Sequence, residues 1–201
     1  MAQIKLQYRI ATSKDTTVLL PLIRSAYRGK DSSAGWTTEA NLVADERIDA
    51  AGLISKINTP QSFILIAEDD QGLLISCCEV VWRKGGDSAY FGLFAVDPTR
   101  QGGGIGRQVL TYAEEFAKRK WGVRKMEMMV IWLREDIIAW YARRGYQKTG
   151  ETRPFPYAEL VNGVALRDDL YFDVLLKDLS TDDNHGSTTR VLIGCQNDTR
   201  I

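Results

Sequence analysis

From Lys5 to Ile10 charged or polar residues alternate with apolar ones, which predicts an opening strand. Thr12 and Ser13 are helix-start residues, and a helix is expected to follow through Tyr27, bent at Pro21. Apolar positions at Leu42, Val43, Ile48, Leu53, Ile54 and Ile57 predict a second helix from Thr37 to about Ile57. Phe63–Ala67 and Leu73–Trp82 have the make-up of strands, joined by the hairpin signal Asp69-Asp70-Gln71-Gly72. Ala89–Val96 is another strand, stopped by Asp97-Pro98.

Beyond a cluster of glycines the period changes. Ile105, Val109, Ala113, Phe116 and Ala117 share one helical face. Met126–Trp132 follows as a buried strand, then Arg134–Arg144 as a short helix closed by Gly145. Tyr146 opens an extended segment, and Leu170–Leu176 is the last strand. The order β, α, α, three β, α, β, α, β, β describes a mixed α/β domain and not a regular βαβ repeat. The expected organisation is one domain over residues 1–179 and a flexible C-terminal tail over 180–201, where Thr, Asp, Asn, Ser and Gly take over.

Composition narrows the function classes. Hydrophobic residues are 44% of the 201 and charged residues 26%, so the chain can bury a core and is not disordered. Its 26 basic and 26 acidic side chains cancel, which argues against a nucleic-acid partner. No uncharged apolar run approaches the roughly 18 residues of a membrane span, and Met1-Ala2-Gln3-Ile4-Lys5-Leu6 lacks an apolar signal core. A cytoplasmic chain with no membrane partner is expected. Three cysteines, with Cys77 and Cys78 adjacent, fit neither a disulfide framework nor a metal site, so buried packing is their expected role. The only histidine, His185, stands in the polar tail, which leaves no imidazole for a Ser–His or Cys–His mechanism and no expected metal. Acid–base work would fall to Tyr, Asp, Glu, Cys, Lys or water.

Arg100-Gln101-Gly102-Gly103-Gly104-Ile105-Gly106-Arg107 lies between a strand end and a helix start. Glycines let backbone N–H groups approach a ligand, and a helix N-terminus adds unpaired donors and partial positive charge, a combination suited to phosphate. From Arg100 to Arg144 there are 10 basic and 5 acidic residues, a local excess in a neutral chain. A plain strand-to-helix turn with solvated arginines explains the same residues. A Walker A loop is excluded, because Arg107-Gln108 follows Gly106 in place of Lys and Ser or Thr. A dinucleotide fingerprint is excluded too, since Arg107 or Val109 stands where a small residue is needed.

Gln101-x-x-Gly104-x-Gly106, directly after Leu93–Pro98, resembles the acetyl-coenzyme-A-binding motif of the GNAT superfamily, the GCN5-related N-acetyltransferases. Tyr141-Ala142-Arg143-Arg144-Gly145-Tyr146 resembles the superfamily's later Tyr four residues before a Gly-aromatic pair, and the element order also matches to about Leu179. Gly35–Ala40 looks like the segment between the first two helices of a fungal-type subgroup. Two residues depart from the pattern: Arg134 where Asn is common, and Ile137 where Ala is common.

The resemblance implies a central, mostly antiparallel sheet with a splayed strand pair, flanked by helices, and an acetyl-CoA-dependent N-acetyltransferase. Backbone groups of Phe94, Ala95 and Val96 would meet the pantetheine arm. Gln101, Gly102, Gly103, Gly104, Ile105, Gly106 and Arg107 would hold the pyrophosphate. An amine attacking the thioester directly gives an oxyanion and a leaving thiolate, and Tyr141 is placed to donate to either; packing beside Ile137 and Ile138 is the other reading of that residue. Glu79, a lone charge in an apolar strand, is the candidate base, with water as the alternative. Trp36, Glu39, Phe155 and Tyr157 would wall the acceptor pocket. The acceptor is a small-molecule amine or a peptide N-terminus, and nine acidic against two basic residues over Asp31–Glu79 would attract a cationic one. A homodimer is implied because relatives commonly form one. A second class stays open, an acyl-CoA-binding or sensing module on the same fold without turnover.

Overall fold

The computed structural model describes residues 4–28, 32 and 35–180. Its elements are β1 (Gln7–Ile10), α1 (Thr16–Tyr27), β2 (Val43–Ala44), α2 (Ala50–Asn58), β3 (Ser62–Glu68), β4 (Leu74–Trp82), β5 (Ser88–Val96), α3 (Ile105–Trp121), β6 (Lys125–Ile131), α4 (Glu135–Ala142), β7 (Gln147–Pro154), β8 (Val164–Ala165) and β9 (Tyr171–Asp178). Seven strands form one sheet in the order β1-β3-β4-β5-β6-β9-β7. Every neighbouring pair in it is antiparallel except β5–β6, which is parallel. This is the mixed α/β architecture expected from the sequence. The tail at 181–201, including Val191-Leu192-Ile193, lies outside the described residues.

Helices cover both faces. On one face Leu19, Leu22, Ile23 and Ala26 of α1 and Leu53 of α2 pack on Ile64, Ile66, Cys77, Leu93 and Ala95. On the other, Ile105, Val109, Ala113 and Ala117 of α3 and Tyr141 of α4 pack on Leu65, Ala67, Cys78, Val80 and Phe91. Adjacent strand residues point to opposite faces, so Cys77 and Cys78 enter different cores. Burial pushes the Cys77 thiol up to about 12 and the Cys78 thiol well above its usual range, as expected of inert packing residues.

The second helix is shorter than the periodicity predicts. Asp49 caps it, its carboxylate accepting from the Gly52 N–H at 2.7 Å, so the helix begins at Ala50 and not at Thr37. Leu42 and Val43 instead join Ile131, Phe155 and Leu170 in a third, smaller core, beside the two-stranded β2–β8 sheet. Their apolar character comes from that packing and not from a helical face.

Two irregularities open the sheet. The β4–β5 register slips between Cys77 and Glu79, opposite Leu93, whose φ of 43° is left-handed. A one-residue bulge turns the strand over: Ala89 and Phe91 face the α3 core, whereas Leu93 and Ala95 face the α1 core. By that point β5 has already left β6, with which it pairs only over Ser88–Tyr90 against Lys125–Glu127.

Candidate active site

The gap between β5 and β6 widens into a cavity of about 640 Å³. Gly92, Phe94 and Val96 line one side and Met128 to Ile131 the other. At one end the cavity meets the glycine loop through Gln101, Gly102, Gly104, Ile105, Gly106 and Arg107. Gly104, at φ 79°, is the residue before α3, a left-handed position that favours glycine. The N–H of Gln108 bonds the Gly104 carbonyl at 3.2 Å, which leaves the N–H groups of Ile105, Gly106 and Arg107 without an intrahelical acceptor.

Cations collect at the same end. Arg144 stacks on Trp140, its Cζ 3.5 Å from the ring centroid, and its Nε is buried without a hydrogen-bond partner. Burial, together with the nearby charges of Arg143 and Arg107, lowers its affinity for a proton. An orphaned guanidinium nitrogen, the charges of Arg107 and Arg144 and a helix N-terminus form a cradle suited to a multiply charged anion. The diphosphate of coenzyme A fits it, and the splayed strands fit the extended arm behind that diphosphate.

Tyr141 is buried on α4, edge-on to Trp140 and Tyr146, and lines the cavity. Burial first, then the fields of Tyr27, Cys78 and Tyr90, holds its phenol well above the usual range. At neutral pH the phenol therefore keeps its proton.

Away from the loop the cavity is walled by Tyr27, Arg28, Glu39, Asp45, Arg47, Lys56, Tyr90 and Phe155, whereas the Trp36 ring lies by the loop, 6.5 Å from that of Trp140. Buried Arg28 bridges two carboxylates, at 2.6 Å to Glu39 and 2.7 Å to Asp45. A substituent on Gly92 would lie 2.6 Å from the Tyr90 ring, so this glycine allows the ring to lie flat along the strand. Arg134 is almost fully buried and holds the segment carrying Trp36 by its carbonyls, and Gln101 ties down the same segment, accepting from the Trp36 N–H at 3.0 Å and donating to Thr37 Oγ1 at 3.0 Å.

The site residues expected from the sequence thus divide. Tyr141, Phe94, Val96, Gln101, Gly102, Gly104, Ile105, Gly106, Arg107, Trp36, Glu39 and Phe155 line one cavity. Ala95 does not, because the bulge turns its side chain into the α1 core and its carbonyl accepts from Ser76 Oγ at 2.6 Å. Gly103 and Tyr157 also lie outside the lining; the Tyr157 hydroxyl accepts from the Leu170 N–H at 2.7 Å, pinning a loop. Glu79 stands behind the wall, bound by Lys56 at 2.8 Å and Ser62 at 3.1 Å. Tyr27, Arg47, Lys56, Tyr90 and Arg144 were not singled out from the sequence. Only Arg144, one helical turn after Tyr141 and beside Arg143, carried a local signal.

Residues 60–148 match the family model described as an acetyltransferase (GNAT) domain. No curated protein matches the chain. Among solved structures, a candidate phosphinothricin N-acetyltransferase aligns with a TM-score of 0.64 at 16% identity, over 88% of this chain and 100% of that one. Spermidine N-acetyltransferase from Vibrio cholerae, in complex with CoA and spermine, aligns at 0.62 and 17%, over 87% and 96%. A candidate acetyltransferase from Salmonella typhimurium, solved with acetyl-CoA, aligns at 0.61 and 17%, over 93% and 99%. These matches give no support to a fungal-type subgroup. The chain has the fold of the GNAT acetyltransferases, and residues 60–148 carry the match to their domain.

Proposed function

We propose that this protein is an N-acetyltransferase that moves the acetyl group of acetyl-CoA to a primary amine by direct attack within a ternary complex. The observation that carries the reading is one continuous cavity joining the glycine loop, the splayed β5–β6 pair and Tyr141. The family match over residues 60–148 and the CoA and acetyl-CoA complexes of the Vibrio cholerae and Salmonella typhimurium proteins support it.

In this reading the N–H groups of Ile105, Gly106 and Arg107 bind the diphosphate, with Arg107 and Arg144 beside it. The backbone of Phe94 and Val96, free of β6, orients the arm. Bound acetyl-CoA supplies an activated acyl carbon on a thiol leaving group. A C–N bond forms as the C–S bond breaks, the amine gives up a proton, and the sulfur takes one from the Tyr141 hydroxyl. Glu79 is engaged by Lys56 and has no face on the cavity, so we assign removal of the amine proton to water. No helix among the described residues is long and apolar enough to cross a membrane.

The second reading, acyl-CoA binding without turnover, draws on the same fact, that Glu79 has no face on the cavity. Thiol release from acetyl-CoA over a mixed panel of amines separates the two. Amine-dependent release supports transfer; tight CoA binding with no release by any amine would leave only the binding module.

A further inference from the structure

The far end of the cavity holds three cationic side chains, Arg28, Arg47 and Lys56. Two are engaged: Arg28 by Glu39 and Asp45, Lys56 by Glu79. Arg47 is not. Among the described residues its guanidinium makes no hydrogen bond and no ion pair, and its close contact is the Tyr27 ring, 4.9 Å from Cζ to centroid. Its backbone stands at φ 65°, a left-handed conformation that arginine seldom adopts and that persists where the surroundings hold it. A half-buried guanidinium has five N–H donors to satisfy, and here they face a cavity.

We infer that the acceptor is an amine that also carries a carboxylate, and that Arg47 binds that carboxylate. The inference rests on the acetyl-transfer reading and specifies its substrate class. A planar guanidinium fork matches a carboxylate through two parallel hydrogen bonds. A phosphate dianion fits less well, because Glu39 and Asp45 also act electrostatically on Arg47 and would repel the second charge. Glu159 lines the same cavity and suits the ammonium form of the incoming amine. Tyr27, Tyr90, Arg47 and Tyr141 line one cavity. A carboxylate on Arg47 leaves the amine of the same small molecule within the cavity that Tyr141 also lines. The α-carboxyl of a peptide's N-terminal residue is tied up in an amide, so a free amino acid is the favoured form.

The test measures thiol release from acetyl-CoA by the full chain with L-amino acids, each paired with its decarboxylated amine and its C-terminal amide. Amino acids should exceed their partners in kcat/KM by about 10- to 100-fold, the scale of a charge-assisted pair. In Arg47→Gln that ratio should fall toward one, mainly through KM, and Arg47→Lys should keep part of it. A ratio near one in the unaltered protein overturns the inference whether or not the variants fold. So does an unchanged ratio in a folded Arg47→Gln. If no amine releases thiol, the transfer reading has failed, and calorimetry of the same amino acids into CoA-loaded protein decides the carboxylate site. Binding lost in Arg47→Gln upholds it; no binding removes it.

Discussion

The guanidinium of Arg134 reaches back 97 residues to the carbonyl of Thr37, Nη1 to O, at 3.0 Å. It also bonds the carbonyls of Thr38 at 2.9 Å and Trp36 at 3.1 Å, and Asp136 holds the guanidinium from the other side. This chain uses the position to fasten the wall that carries Trp36 and Glu39. Arg134→Met removes three charge-assisted bonds and leaves their acceptors half-covered, which should cost about 2–4 kcal/mol. Thermal melting reads the loss, and a rise in acceptor KM larger than the rise in acetyl-CoA KM locates it at the wall. An unaltered melting temperature would show that the segment holds itself.

Gly104 and Gly122 bracket α3 and share one strain, at φ 79° and 65°. Neither faces anything within 4 Å that a methyl group would strike. Alanine at either should cost about 1–2 kcal/mol for the left-handed backbone alone. Only Gly104→Ala should also weaken coenzyme A binding, by calorimetry, since only that end of the helix meets the cavity. Equal affinities in the two variants would remove the diphosphate from the glycine loop.

Asp15 closes the entrance to α1. Its carboxylate accepts from the Thr12 N–H at 2.7 Å and from Arg9 at 2.8 Å. Arg9 first, then the Thr12 bonds, holds the Asp15 carboxyl down at about 2 against an ordinary 3.8. A depressed carboxyl stabilises the fold above its unfolded value, and that stabilisation disappears as pH falls from 3.8 toward 2. Asp15→Asn should therefore cost about 1 kcal/mol at neutral pH and nothing near pH 2. Denaturant melts of both proteins across that window check the convergence.

How much of this was legible in sequence depends on the range of the cause. Local period located β3, β4 and β5 to within a residue, and the start of α3, because alternation and the shared face of Ile105, Val109 and Ala113 are properties of adjacent turns. The glycine loop and Tyr141 were legible as a spaced motif. The stretch from Thr37 to Asp49 was not, because Leu42 and Val43 are apolar for the sake of Ile131 and Phe155, far along the chain. The two-residue strands β2 and β8 depend on one another across the fold, and Gly163 lets them meet: a Cβ there would lie 2.0 Å from the Ala44 carbonyl oxygen. Arg47 was hidden for a similar reason. What sets it apart from Arg28 is which carboxylates the fold brings to each, and ion pairing has no local signature.

Tyr141 is where chemistry and packing separate. Its ring meets Trp140 at 4.9 Å and Tyr146 at 5.7 Å between centroids, contacts that Tyr141→Phe retains. That variant loses the hydroxyl alone, so melting temperature and acetyl-CoA affinity should hardly change. If the hydroxyl protonates the departing sulfur, turnover should fall on the order of 10- to 1,000-fold, because a donor used at the transition state acts on kcat and little on binding. The pH profile adds an independent reading. Burial raises this phenol, so the acid form persists to higher pH than an exposed tyrosine allows, and the rate should climb with the neutral amine without a falling limb in the ordinary phenol range. In Tyr141→Phe the climb should remain at the lower level, since it belongs to the amine. A Phe variant as fast as the parent would assign Tyr141 to the core and give the proton to water.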